Sequence, residues 1–182
     1  MTDKPSTPPK SHGRKAIRPT LQPRELMTPT PDLAGVWKVK ILTLFPTAFP
    51  GLLGESLTGK ALQEGLWQLE TIDLRQFGVG KHRNVADTPA GGGAGMVLRP
   101  DVLGNAIEHA LGGIRGNWPL IYLSPRGRRM DQKMMQNLAR CDGMTLLCGR
   151  FEGVDERVLE HYGIQEVSLG DFVMTGGEIA AQ

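Results

Sequence analysis

The chain has 182 residues and only two cysteines, Cys141 and Cys148. Two thiols cannot build a disulfide framework or a four-ligand zinc site, so a reducing cytoplasm is the expected compartment. No apolar run reaches the ~18–20 residues that a membrane span requires. The start, Met1 to Lys10, is polar and proline-bearing and has no apolar core of a secretory signal. Charge of one sign is missing too: 21 Lys/Arg stand against 19 Asp/Glu, for a net charge of +2. Residues 1–35 hold six basic and three acidic side chains, or +3, which leaves 2 − 3 = −1 for residues 36–182. Nucleic-acid binding therefore has to come from local patches rather than bulk charge. No Gly-Lys-Ser/Thr closes a phosphate loop and no GxGxxG opens a helix after a strand, which disfavours nucleotide hydrolysis. Ser124 has no matched His/Asp arrangement, which argues against a hydrolase. His82, His109 and His161 lie too far apart to suggest a metal triad, and no metal is expected.

What is present is an ordinary globular composition, 40% hydrophobic and 22% charged. Residues 1–35 carry seven of the thirteen prolines and read as a disordered, basic extension. Residues 36–182 can bury a core and alternate strand-like and helix-like patterns. Strands are predicted over Val36–Leu44, Trp67–Leu74, Leu120–Leu123, Met144–Cys148 and Ile164–Leu169. Helices are predicted over Ser56–Glu64, Pro100–Leu111, Asp131–Arg140 and Val154–Tyr162, with a last one starting near Gly177-Glu178. Val102, Leu103, Ala106, Ile107 and Ala110 form one apolar stripe at helical spacing. Residues 75–96 read as a long loop without structure of its own. The alternation predicts an α/β fold with a mostly parallel sheet flanked by helices. The chain stops at Gln182 inside a starting helix, which suggests truncation.

Three strands run into glycine-bearing loops: Ser124-Pro125-Arg126-Gly127-Arg128, Gly149-Arg150-Phe151-Glu152-Gly153, and Gly170-Asp171-Phe172-Val173-Met174-Thr175-Gly176-Gly177-Glu178. Ligands of open α/β sheets bind beyond the carboxyl ends of strands. For one loop alone, ordinary turn glycines are the better explanation; three at successive strand ends reverse that. A site of backbone groups suits a nucleoside-like ligand. Glu152 is a candidate for acid–base work or for positioning a base. Asp155 and Glu156 read more simply as residues favoured at a helix N-terminus. Lys81-His82-Arg83, and Arg126, Arg128 and Arg129 with Lys133, are two basic clusters suited to phosphate, or to solvent alone. Gly91-Gly92-Gly93-Ala94-Gly95-Met96 fits either close backbone packing against a substrate or second subunit, or a floppy loop. These residues leave room for a noncatalytic RNA- or nucleotide-binding module as well as for an enzyme.

Taken together the loops resemble the bacterial tRNA (guanine-N1)-methyltransferases of the SPOUT superfamily. The resemblance runs from about Trp37 to the last residue. It rests on Leu44-Phe45-Pro46, Gly91 to Met96, Tyr122 to Arg128, Cys148 to Arg157 and Ser168 to Glu178, in matching order. It implies a SPOUT-type fold with a C-terminal trefoil knot, a topology that is otherwise rare. It also implies S-adenosyl-L-methionine as methyl donor, tRNA as substrate and a homodimer with active sites at the interface. By position, Tyr122, Leu123, Ser124, Pro125, Gly127, Gly149, Leu169, Gly170, Asp171, Phe172, Val173, Met174, Gly176 and Gly177 correspond to the donor pocket. Glu152 matches a glutamate that positions the target guanine, and Arg150 is the local candidate for the charge developing on guanine O6. Lys81, His82, Arg83 and Arg128 are the expected tRNA contacts. The sequence departs from the family pattern at Ala90 (usually tyrosine), Arg126 (glutamine), Phe151 (often tyrosine) and Thr175 (serine). The resemblance puts a general base, a further arginine and a tRNA-gripping helical domain after residue 182. Donor binding with impaired catalysis is thus expected of this chain.

Overall fold

The computed structural model describes residues 35–182; the proline-rich stretch predicted over 1–35 falls, apart from Gly35, outside the described residues. Among the described residues seven strands and five α-helices follow in order: β1 Trp37–Thr43, α1 Ser56–Gln63, β2 Trp67–Asp73, β3 Ala86–Asp87, β4 Val97–Leu98, α2 Pro100–Leu111, β5 Leu120–Arg129, α3 Gln132–Leu138, β6 Gly143–Cys148, α4 Glu156–Tyr162, β7 Gln165–Ser168 and α5 Glu178–Ala181. Five strands form one sheet in the order β2-β1-β6-β5-β7, and every neighbouring pair is parallel. The predicted α/β class is the observed one.

A parallel sheet needs cover on both faces, and period-two alternation divides the strand residues between two apolar clusters. Leu42, Ile72, Leu120, Tyr122 and Leu147 pack with Leu103, Ala106 and Ile107 of α2 and with Val158 and Leu159 of α4. Val39, Ile41, Ile121, Leu123, Leu146, Cys148 and Val167 form the other cluster, joined by Met134 and Leu138 of α3 and Ala180 and Ala181 of α5. The whole predicted α2 stripe, from Val102 to Ala110, is buried. Its helix starts with Pro100 in the first turn, where a missing N–H costs nothing.

Three expectations needed correction. The 75–96 segment is partly ordered. A 3-10 turn spans Leu74–Phe77, Val79 and Asn84 exchange backbone hydrogen bonds of 3.0 and 2.9 Å, and β3 pairs antiparallel with β4. Leu74 and Leu98, both fully buried, pin the two ends of this stretch to the core. Next, β5 does not stop at Leu123. It leaves the β7 edge, makes an excursion through Ser124–Gly127 and rejoins, so that Val167 pairs with both Leu123 and Arg128. Backbone N–H groups beyond the excursion find partners again on the edge strand, as Met130 does with the Ser168 carbonyl at 2.7 Å. Finally, α4 begins at Glu156 rather than Val154. Asp155 is the cap, its carboxylate accepting the Arg157 N–H at 3.0 Å.

The Asp155 carboxyl is held below its ordinary range, first by the hydrogen bond from the Arg157 side chain and further by the Arg157 backbone N–H. Such a group stabilises the fold fully above the unfolded carboxylate pKa of about 3.9, and that contribution is lost as pH falls through the lower folded value. Asp155→Ala should therefore cost ~1 kcal/mol at neutral pH in denaturant titrations, a typical cap loss. Asp155→Asn should lose less stability between neutral pH and pH ~3 than the wild type does. Identical acid profiles would mean that the carboxylate is not the stabilising group.

Candidate functional site

The loops after β5, β6 and β7 converge on one cavity of about 210 Å³. Tyr122, Leu123, Ser124 and Pro125 line it from β5 and its excursion; Gly149, Arg150, Phe151, Glu152 and Gly153 from the loop after β6; Leu169, Gly170, Phe172, Val173, Met174, Gly176 and Gly177 from the loop after β7. The parallel register explains the meeting. Leu123 pairs with Cys148 on one side and Val167 on the other, so the three strands deliver their C-terminal turns to one edge.

The turns touch closely. A Cβ on Gly149 would lie 2.6 Å from the Tyr122 ring, and one on Gly177 would lie 2.7 Å from the Cys148 Cα. The Gly177 N–H donates to the Gly149 carbonyl at 3.1 Å, clasping the second loop to the third. Of the sequence candidates for this pocket, Gly127 and Asp171 stand outside the lining. Gly127 instead lets the β5 excursion lie against β7, where a Cβ would meet the Val167 nitrogen at 2.4 Å.

Glu152 is exposed at the rim. Its carboxylate accepts the Met96 N–H at 2.7 Å, and its own N–H donates to the Met96 carbonyl at 3.0 Å. The glycine-rich stretch is thus drawn to the site by main-chain contact. Gly95, at φ +88°, has no room for a Cβ against the Glu152 side chain. Arg150 reaches inward: Nε and Nη2 donate to Glu178 at 3.0 and 2.8 Å, and Nη1 donates to the Thr175 carbonyl at 3.1 Å. Its guanidinium carbon lies 4.4 Å from the centre of the Phe45 ring. Arg126 pairs with Glu166 at 2.7 Å and Glu156 at 2.5 Å, tying the excursion to β7 and α4.

Lys81, His82 and Arg83 sit on the exposed turn between Val79 and Asn84. Arg128 is exposed and lies 3.8 Å from Asp131. None of these four lines the cavity. Among the described residues no His/Cys/Asp/Glu group is arranged to hold a metal, and no helix is long and apolar enough to cross a membrane.

Cys148 ends β6 beside the site. Burial, with the Glu178 charge adding, pushes its thiol well above the ordinary range. Cys141 is partly exposed. In a disulfide-exchange titration of the folded chain, Cys141 should react within minutes and Cys148 only after denaturant is added. Two equally fast thiols would contradict the burial of the β6 end.

Sequence reasoning gave no role to Thr43 or Glu178. Thr43 is one apolar-neighboured residue in a strand, and Glu178 looks like a carboxylate favoured by a helix start. Neither carries a local signal of the contact between them, which spans 135 positions.

Residues 37–182 match the family model described as tRNA (Guanine-1)-methyltransferase TrmD. A protein of Ruegeria sp. (strain TM1040) named tRNA (guanine-N(1)-)-methyltransferase is 86% identical over 156 residues, covering 86% of this chain and 64% of its own length. One of the same name from Ruegeria pomeroyi is 83% identical over 156 residues with the same coverages. Another, from Rhodospirillum rubrum, is 54% identical over 142 residues, covering 78% of this chain and 58% of its own. The chain spans about 64% of the length of the first two of these relatives.

Proposed function

Because the chain belongs to the tRNA (guanine-1)-methyltransferase TrmD family, we propose that its cavity holds S-adenosyl-L-methionine and that the whole protein methylates N1 of the guanosine 3′ of the tRNA anticodon, at position 37. The observation that carries the reading is the convergence of the three turns at Ser124, Gly149 and Gly170 on one cavity. The walls suit the donor. Leu123, Pro125, Leu169 and Met174 offer apolar surface to a nucleoside, and the glycine turns bring main-chain donors and acceptors to its edges. Bound there, the donor would supply a sulfonium methyl group for guanine N1 to take in line, the neutral thioether leaving and the N1 proton passing to a general base.

The chain's own residues hold, orient and screen. Glu152, at the rim, offers a carboxylate to the N–H edge of the guanine, which must leave any stack to reach it. Arg150 either meets charge developing on guanine O6 or, as its contacts with Glu178 and Thr175 favour, braces the turns. Lys81, His82, Arg83 and Arg128 present cations to tRNA phosphates, where contacts set affinity and its salt dependence. Phe151, Leu169, Phe172 and Val173 are exposed around the cavity mouth. That apolar rim supports a homodimer with the sites at its interface. Membership of the family is what supports a trefoil knot. Action on tRNA would place the protein in the cytoplasm.

Calorimetric titration of the 182-residue chain tests the reading. S-adenosylmethionine should bind with a saturable signal and ATP should not. ATP binding without S-adenosylmethionine binding would overturn it.

A further inference from the structure

Glu178 is the most conspicuous charge that the proposed reaction leaves unused. It opens α5 and is 4% exposed. Oε1 accepts the Thr43 hydroxyl at 2.7 Å. Oε2 accepts Nε and Nη2 of Arg150 at 3.0 and 2.8 Å. The Thr43 oxygen in turn accepts the Phe45 N–H at 2.9 Å, and the Phe45 ring underlies the same guanidinium. Gly176 leaves the space this requires, since a Cβ there would lie 2.3 Å from Arg150 Nε. A single carboxylate thus joins the end of β1, the turn after β6, and the end of the turn after β7.

A buried ion pair is a poor device for stability alone, because desolvation offsets most of the attraction. What this one does is geometric. Arg150, Thr175, Gly176 and Gly177 line the cavity, whereas Glu178 and Thr43 stand behind it. We infer that Glu178 is a positioning residue: through Arg150 it sets the separation of the second and third turns, and so the affinity for the methyl donor. The inference rests on the proposed identity of the cavity. With the bridge relaxed, the Thr175 carbonyl loses its Arg150 donor, and the hydrogen bond from Gly177 to Gly149 remains between the second and third turns.

The test is donor affinity, by calorimetry on the 182-residue chain, beside melting temperature. Glu178→Gln keeps size and shape but removes the charge facing Arg150. It should weaken S-adenosylmethionine binding by about tenfold or more, in line with loss of a charge-assisted hydrogen bond, while the variant still melts cooperatively. Thr43→Val removes only the hydroxyl and should weaken binding several-fold; Thr43→Ser, which restores it, should recover wild-type affinity. Wild-type affinity in folded Glu178→Gln and Thr43→Val would overturn the inference. Should Glu178→Gln not fold, the Val/Ser pair at position 43 decides alone, since a merely structural hydroxyl would move the melting temperature and leave affinity intact. Absence of binding by the wild type would overturn the donor-site reading itself and this inference with it, and it would appear before any variant is compared.

Discussion

Gly149→Val is expected to abolish S-adenosylmethionine binding in a calorimetric titration, the largest effect foreseen on the proposed site. Even the first added carbon would lie 2.6 Å from the Tyr122 ring and 2.8 Å from its hydroxyl. Tyr122 cannot yield, since it is 7% exposed within the core under α2. Burial, more than any other influence, raises its phenol above the ordinary tyrosine range. The strain must therefore move the Gly149 turn. That turn carries Arg150 and the carbonyl that receives the Gly177 N–H, so both later walls of the cavity shift with it. Overpacking of this kind typically costs ~1–3 kcal/mol of stability, which leaves a folded population to titrate. Unchanged affinity would remove Gly149 from the site.

Leu103→Ala is the stability counterpart. Leu103 is fully buried, in the apolar cluster that also holds Leu98, Leu42 and Leu147. Truncation removes buried methyl groups and leaves a cavity, for an expected loss of ~2–5 kcal/mol. The denaturation midpoint should fall with little change in slope. Donor affinity below the transition should stay at the wild-type value, because α2 contributes no residue to the cavity lining. A loss under 1 kcal/mol would mean that the site collapses around the gap, as poorly packed surroundings do. A loss of affinity in the folded variant would show that the loops depend on α2.

The contrast between these two positions parallels the contrast in what could be read beforehand. Leu103 belongs to a stripe at helical spacing whose five members are all buried, and periodicity is a local property that survives in the bare sequence. Gly149 was legible too, but only as one of three glycine turns at strand ends. Its reason for being glycine, the Tyr122 ring, is 27 positions away and could not be read from spacing. The β5 continuation is not legible in the sequence because Ser124-Pro125-Arg126-Gly127 has turn chemistry, and a turn normally ends a strand. Here the edge of β7 reclaims the chain after four residues. The 75–96 stretch reads as structureless because its charged and glycine residues carry no apolar periodicity; its order comes from the Val79–Asn84 hydrogen bonds and the pairing of β3 with β4.

By itself, the sequence determined the alternation of strands and helices, the apolar faces and the three turns rich in glycine. These depend on neighbours within about two helical turns and are written locally. Tertiary structure alone decided which strands adjoin, and hence that the three turns share one cavity. It also decided that Thr43, Arg150 and Glu178 meet on a single buried carboxylate. Such meetings are set by sheet order and register, and a buried charge finds its partner through the fold because only there is water absent enough to demand one.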